Sequence, residues 1–181
     1  MAGKLDGKKI AILATDGVEQ VELIEPRKAL EDAGAKTELV SLASGQIQGF
    51  NHLDHGDKLD VDKTLDEASA DDYDGLLIPG GVANGDFLRA DEQAVAFTSA
   101  FAKAKKPIAS ICHGPWVLVE AGIVKGATLT SFPALKTDIE NAGGRWVDEE
   151  VHVDDNGPGV IISSRKPDDL KAFCQEIVDR F

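Results

Sequence analysis

Short apolar runs and amphipathic stretches take turns along this chain. Lys9–Ala14 (KIAILA) is a compact apolar run closed by Thr15-Asp16-Gly17, the pattern of a strand covered on both faces. Glu22–Ala33 has helical periodicity, with Leu23, Leu30 and Ala33 on one side and Gly34 as a C-terminal stop. Pro26 is expected in a first turn or at a kink, because proline removes a donor inside a helix. Thr37–Leu42 and Gly75–Ile78 read as strands, the latter running into Pro79-Gly80-Gly81. Glu92–Lys103 is a helix, Pro107–Ile111 a buried strand, and Pro115–Ala121 a helix opened by proline and stopped at Gly122. Thr128–Phe132, Arg145–Val153 and Val160–Ser164 read as strands, Ala134–Ala142 and Asp168–Phe181 as helices. The acidic stretch Gly45–Asp72 breaks the rhythm and predicts a small hairpin beside the main sheet. Strands alternating with helices imply right-handed crossovers, a mostly parallel sheet covered on both faces, and one α/β domain over residues 1–181.

Charge and cysteine count narrow the classes of function. The 181 residues carry 19 basic and 32 acidic side chains, a net charge of −13, so phosphate backbones and anionic membranes are poor partners. No apolar run approaches the ~20 residues of a membrane helix, and the opening MAGKLDGKKIAIL does not read as a secretory signal. Cys112 and Cys174 build neither a disulfide framework nor a zinc site, which fits a cytoplasmic protein with free thiols.

In a parallel sheet, ligands bind beyond the carboxyl ends of the strands. Asp16–Glu22, Pro79–Asp86 and Ser110–Trp116 arrive there. In PIASI-C-HGPW, Cys112 stands at a sharp strand-to-helix turn, where a nucleophile is lifted out of the sheet and a helix start favours its thiolate. His113 has a ring for acid–base work, and the N–H groups of Gly81 and His113 are candidates for an oxyanion hole. The plain alternative is that Cys112 is a small buried hydrophobe. Pro79-Gly80-Gly81 fits neither a dinucleotide fingerprint nor a phosphate loop, so no cofactor is expected. His52 and His55 lie among acids without a convincing ligand pattern, so no metal is expected either. Cys174 reads as packing, and Trp116 as either pocket lining or core.

The segments A-S-I-C-H-G-P, L-I-P-G-G and V-E-Q-V-E-L-I-E-P, with G-A-T-L-T-S-F-P and N-A-G-G-R-W-V-D further on, resemble the ThiJ/PfpI superfamily. Within it they are most similar to PfpI-type intracellular cysteine peptidases and related general stress proteins. The resemblance implies a flavodoxin-like three-layer sandwich of the class I glutamine amidotransferase kind. It implies Cys112 as nucleophile, His113 as its base and Glu19 as a carboxyl group facing the sulfur. It further implies an acid that orients the histidine across a subunit interface, for which Asp86 is the candidate, with capping of the helix containing Glu92 as its alternative role. Two negative charges should not share one contact, so Glu19 is expected protonated. The site would then lie in a homodimer or hexamer. Three functions share this sulfur: a stress-response cysteine hydrolase or peptidase acting on peptides, a glyoxalase or deglycase acting on methylglyoxal or glycated protein, and an oxidisable sensor.

Overall fold

A computed structural model describes residues 3–157 and 159–181; Met1, Ala2 and Pro158 lie outside the described residues. The chain opens with β1 (Lys9–Leu13), the two-residue β2 (Val18–Glu19) and α1 (Gln20–Asp32). Next come β3 (Lys36–Ser41), a hairpin of β4 (Gln46–Asn51) and β5 (Asp54–Asp60), and the short β6 (Lys63–Thr64). β7 (Gly75–Ile78) is followed by α2 (Val82–Ala90) and α3 (Glu92–Lys103), then β8 (Ile108–Ile111) and α4 (Pro115–Glu120). The last third holds β9 (Thr128–Leu129), α5 (Lys136–Asn141), β10 (Arg145–Trp146), β11 (Val151–Asp154), β12 (Ile161–Ser164) and α6 (Leu170–Arg180).

A seven-stranded sheet runs in the order β11-β12-β8-β7-β1-β3-β6, parallel except for β11. Successive residues of β1 feed opposite cores, as the two-residue period of a strand requires. Ile10 and Ile12 pack with Leu23, Leu30, Phe173 and Ile177 of α1 and α6. Ala11 and Leu13 share the other core with Phe97, Phe101, Val117 and Leu118 of α3 and α4. The result is the three-layer sandwich of a flavodoxin-like fold. β4 and β5 form the expected hairpin, tied to the body through β2.

Several local expectations are corrected. Pro26 lies inside α1, where Glu22, Leu23, Pro26 and Leu30 are its buried residues, so packing of that stripe holds the helix despite the lost donor. The alternating run Arg145–Val153 is two strands in different sheets, interrupted by the acidic Asp148-Glu149-Glu150. The strand expected over Thr128–Phe132 shortens to Thr128–Leu129. α2 is a separate helix absent from the pattern reading, and Asp91, not Asp86, caps α3 by accepting from the Ala94 N–H at 2.9 Å.

Candidate functional site

Three loops meet at the carboxyl end of the sheet, following β1, β7 and β8, and one buried side chain ties two of them together. Asn84, at the start of α2, accepts from the Thr15 N–H at 2.8 Å and donates to the carbonyls of Pro79 and Gly80, each at 3.0 Å. The glycines let these loops close. At Gly80 a β-carbon would sit 2.6 Å from the Cys112 β-carbon, and at Gly81, whose φ is 96°, it would sit 2.2 Å from the Gly17 carbonyl oxygen.

Cys112 occupies the turn between β8 and α4 with φ of 62°, a conformation rare outside glycine. Two backbone bonds hold it there: its N–H donates to the Ser164 carbonyl at 3.0 Å, and its carbonyl accepts from the Phe132 N–H at 2.9 Å. The backbone N–H groups of Gly81 and His113, the pair proposed from sequence as oxyanion donors, lie near the sulfur and favour its thiolate. Sγ lies 3.1 Å from His113 Nδ1. The imidazole is stacked on Phe132, with ring centroids 4.7 Å apart, and meets Trp116 edge-on at 5.1 Å. Burial lowers the His113 pKa, so the ring is neutral near pH 7 and free to take a proton.

The carboxyl group against the sulfur is Glu22, not Glu19. Glu22 is fully buried on the first turn of α1; its Oε2 accepts from the Gly80 N–H at 2.8 Å, and its Oε1 has no hydrogen-bond partner among the described residues. Burial, reinforced by the Glu19 charge, pushes its pKa up to about 8, against the opposing effects of Cys112 and the Gly80 N–H. Glu19, which ends β2 in extended backbone before α1 begins, accepts from the His52 N–H at 3.1 and 3.3 Å and anchors the tip of the β4–β5 hairpin. A carboxyl group with a raised pKa therefore faces the thiol, at Glu22 rather than at the expected Glu19. The signal was present in the sequence: Glu22 lies four residues before Pro26 and eight before Leu30, on the inward stripe of α1.

The expected lowering of the thiol pKa is reversed. Burial and the Glu22 charge push Cys112 upward, against the Gly81 and His113 donors. Thiol and carboxyl form one coupled pair in which a single negative charge is the most the site sustains near neutrality. Burial also pushes the Cys174 thiol up, to about 11, and it lies in α6, away from this loop cluster. Asp86 is exposed on α2, where Oδ1 accepts from Arg89 Nε at 3.1 Å and Nη2 at 2.9 Å, and it makes no hydrogen bond to His113 of its own chain. Arg89 in turn covers the Trp116 ring at 4.3 Å.

Known proteins similar to this chain identify its family. The model of the DJ-1/PfpI family matches residues 8–180. A putative cysteine protease, YraA, of Bacillus subtilis is 42% identical over 170 residues, covering 93% of this chain and 95% of the relative. A deglycase, TK1284, of Thermococcus kodakarensis is 41% identical over 170 residues, covering 94% of this chain and 97% of the relative. Among solved structures, a two-domain protein of Anabaena variabilis with DJ-1/ThiJ/PfpI-like and ferritin-like domains superposes with a TM-score of 0.88 at 34% identity. That match covers 96% of this chain, which spans 48% of the Anabaena protein. With the sandwich, the elbow cysteine and a family match over nearly its whole length, the chain belongs to the DJ-1/PfpI family.

Proposed function

We propose that this protein is a Cys112-dependent enzyme acting on carbonyl carbon, with methylglyoxal or glycated protein side chains as its substrate class. One observation carries the reading: proton-transfer groups flank a single recessed thiol, with His113 Nδ1 at 3.1 Å and the buried carboxyl of Glu22 against it. The exposure of Cys112 is 7% and that of His113 is 8%, so a small carbonyl, or an adduct at the tip of a side chain, reaches the sulfur more readily than a polypeptide backbone.

As Sγ attacks the carbonyl carbon, the thiol proton passes to neutral His113, which makes a high resting thiol pKa compatible with reaction. The C=O π pair moves to oxygen, where the Gly81 and His113 N–H groups receive it, and the imidazolium returns the proton to give a hemithioacetal. For methylglyoxal, His113 and Glu22 then relay the proton from the aldehyde-derived carbon to its neighbour by way of an enediol, while the hemithioacetal hydroxyl proton passes to the neighbouring carbonyl oxygen. The resulting thioester is cleaved by water to lactate and free thiol. A carboxyl group with pKa near 8 is suited to this relay, because it gives up and regains a proton at small cost near neutral pH.

Peptide hydrolysis is the second reading, supported by the two N–H donors at the sulfur and by the protease name of the Bacillus relative. The raised thiol pKa weighs against a peroxide sensor, which needs a ready thiolate. We also assign Asp86 to the partner's site in a homo-oligomer. It stands on α2 beside exposed Val82 and Phe87, and among the described residues the His113 ring has no acidic partner.

The test follows lactate formation from methylglyoxal alongside cleavage of a fluorogenic peptide. Cys112→Ala is expected to lower lactate formation by at least roughly a thousandfold with the fold intact. Peptide cleavage lost in the same variant, without lactate formation by the native protein, would instead establish the peptidase reading.

A further inference from the structure

At the opposite end of the parallel strands from Cys112 lies a cavity of about 380 Å³, within the size range of small-molecule sites. It opens at the first residues of β8 and β12, so the full length of β8 separates it from the nucleophile. Its floor is apolar, formed by Ile108, Ile123, Ala127 and Ile161. Its wall carries Lys103 from the end of α3 and Lys125 from the α4–β9 loop. Among the described residues neither of these ammonium groups forms an ion pair, although acids outnumber bases 32 to 19 in the chain. Lys106, also in the wall, donates to the Ala70 and Tyr73 carbonyls at 2.7 and 2.6 Å, leaving one of its three N–H bonds.

The carboxylate in the wall, Asp154, accepts from the Thr128 N–H, the Asn156 N–H and the Asn156 side-chain amide, which hold it ionised, so one negative charge faces the three ammonium groups of Lys103, Lys106 and Lys125 and the lining stays net positive.

We propose that this cavity binds a small amphipathic anion, with an apolar body on the isoleucine floor and one anionic head between Lys103 and Lys125. The apolar floor selects against bare inorganic anions, and the paired lysines select against neutral molecules of the same shape. The site is independent of the chemistry at Cys112.

The experiment titrates the intact protein with hexanoate, hexanol, acetate and inorganic phosphate, following backbone amide shifts by NMR. Hexanoate is expected to shift Gly122, Gly126 and Gly159 saturably and to bind at least fivefold more tightly than acetate, phosphate or hexanol. Lys103→Glu with Lys125→Glu is expected to weaken hexanoate at least tenfold. The same charge change at Lys58 and Lys171, on other faces, should leave it within twofold. All four substituted lysines are exposed, so folding is not at risk. No saturable shift up to tens of millimolar hexanoate overturns the proposal. So does affinity unchanged in the Lys103 and Lys125 variant, or phosphate or hexanol binding as tightly as hexanoate.

Discussion

Glu22 and Cys112 are two acids in one buried contact: burial raises the pKa of both, and the carboxylate raises that of the thiol further, while the thiol contact draws that of the carboxyl back down. Unfolded, the Glu22 carboxyl ionises near its ordinary 4.5; folded, it holds its proton to about 8. Between those values the native state keeps a proton that the unfolded chain has lost. Stability therefore falls as pH rises through that window and levels off above about 8, a change of a few kcal/mol. Glu22→Gln, which keeps an acceptor for the Gly80 N–H, is expected to flatten that slope in denaturant melts between pH 4 and 8. It should also slow methylglyoxal turnover by roughly a hundredfold, through loss of the proton relay. Glu19→Gln should leave turnover within a few fold, because its carboxylate serves the His52 N–H. His113, with its pKa lowered by burial, places the acid limb of the rate profile below the usual imidazole range.

The elements around the site act through their ends. β8 delivers Cys112 into a left-handed turn, and the first turn of α2 supplies the side chain that joins the loops after β1 and β7. Asn84→Ala leaves the buried Thr15 N–H and the Pro79 carbonyl without their partner, while the Gly80 carbonyl keeps the Glu19 N–H, and is expected to lower stability by roughly 2–4 kcal/mol, read from chemical denaturation. Farther from the chemistry, Asp91→Ala removes only the cap of α3 and should lower stability by about 1 kcal/mol with turnover unchanged. Comparing the two separates a helix end that positions the site from one that merely stabilises the fold.

At the scale of the whole molecule, the exposed face of α2 sets a prediction about assembly. With Asp86 serving a partner's His113, specific activity should fall as the protein is diluted below its association range. Asp86→Ala should cut kcat at high concentration without changing sedimentation. Activity that stays constant on dilution to monomer, measured beside analytical ultracentrifugation, would remove that role from Asp86. The opposite end of the molecule carries the lysine-walled cavity, so the two ends of the same parallel sheet present different chemistry.

The alternation of apolar runs and amphipathic stretches was enough to read the parallel core, because strands such as Lys9–Leu13 and Gly75–Ile78 are buried on both faces and carry that burial in their own residues. The elbow was legible too, since Cys112, His113, Gly114 and Pro115 are consecutive and their local geometry follows from residue type. What only tertiary structure decided was anything set by where one element ends, where the next begins and what packs against them. Glu19 and Glu22 are both acids before the same proline, but Glu19 ends β2 in extended backbone and reaches the hairpin, while Glu22 stands in the first turn of α1 against the sulfur. Asn84 was equally silent, because Thr15, the partner that makes it a tie between two loops, lies 69 residues away and only the folded sheet brings it alongside. The charge state of the site belongs to the same class: a thiol that looks activated by its neighbours in sequence is held protonated by burial and by a carboxyl group ninety residues away, and desolvation is a property of the packed molecule.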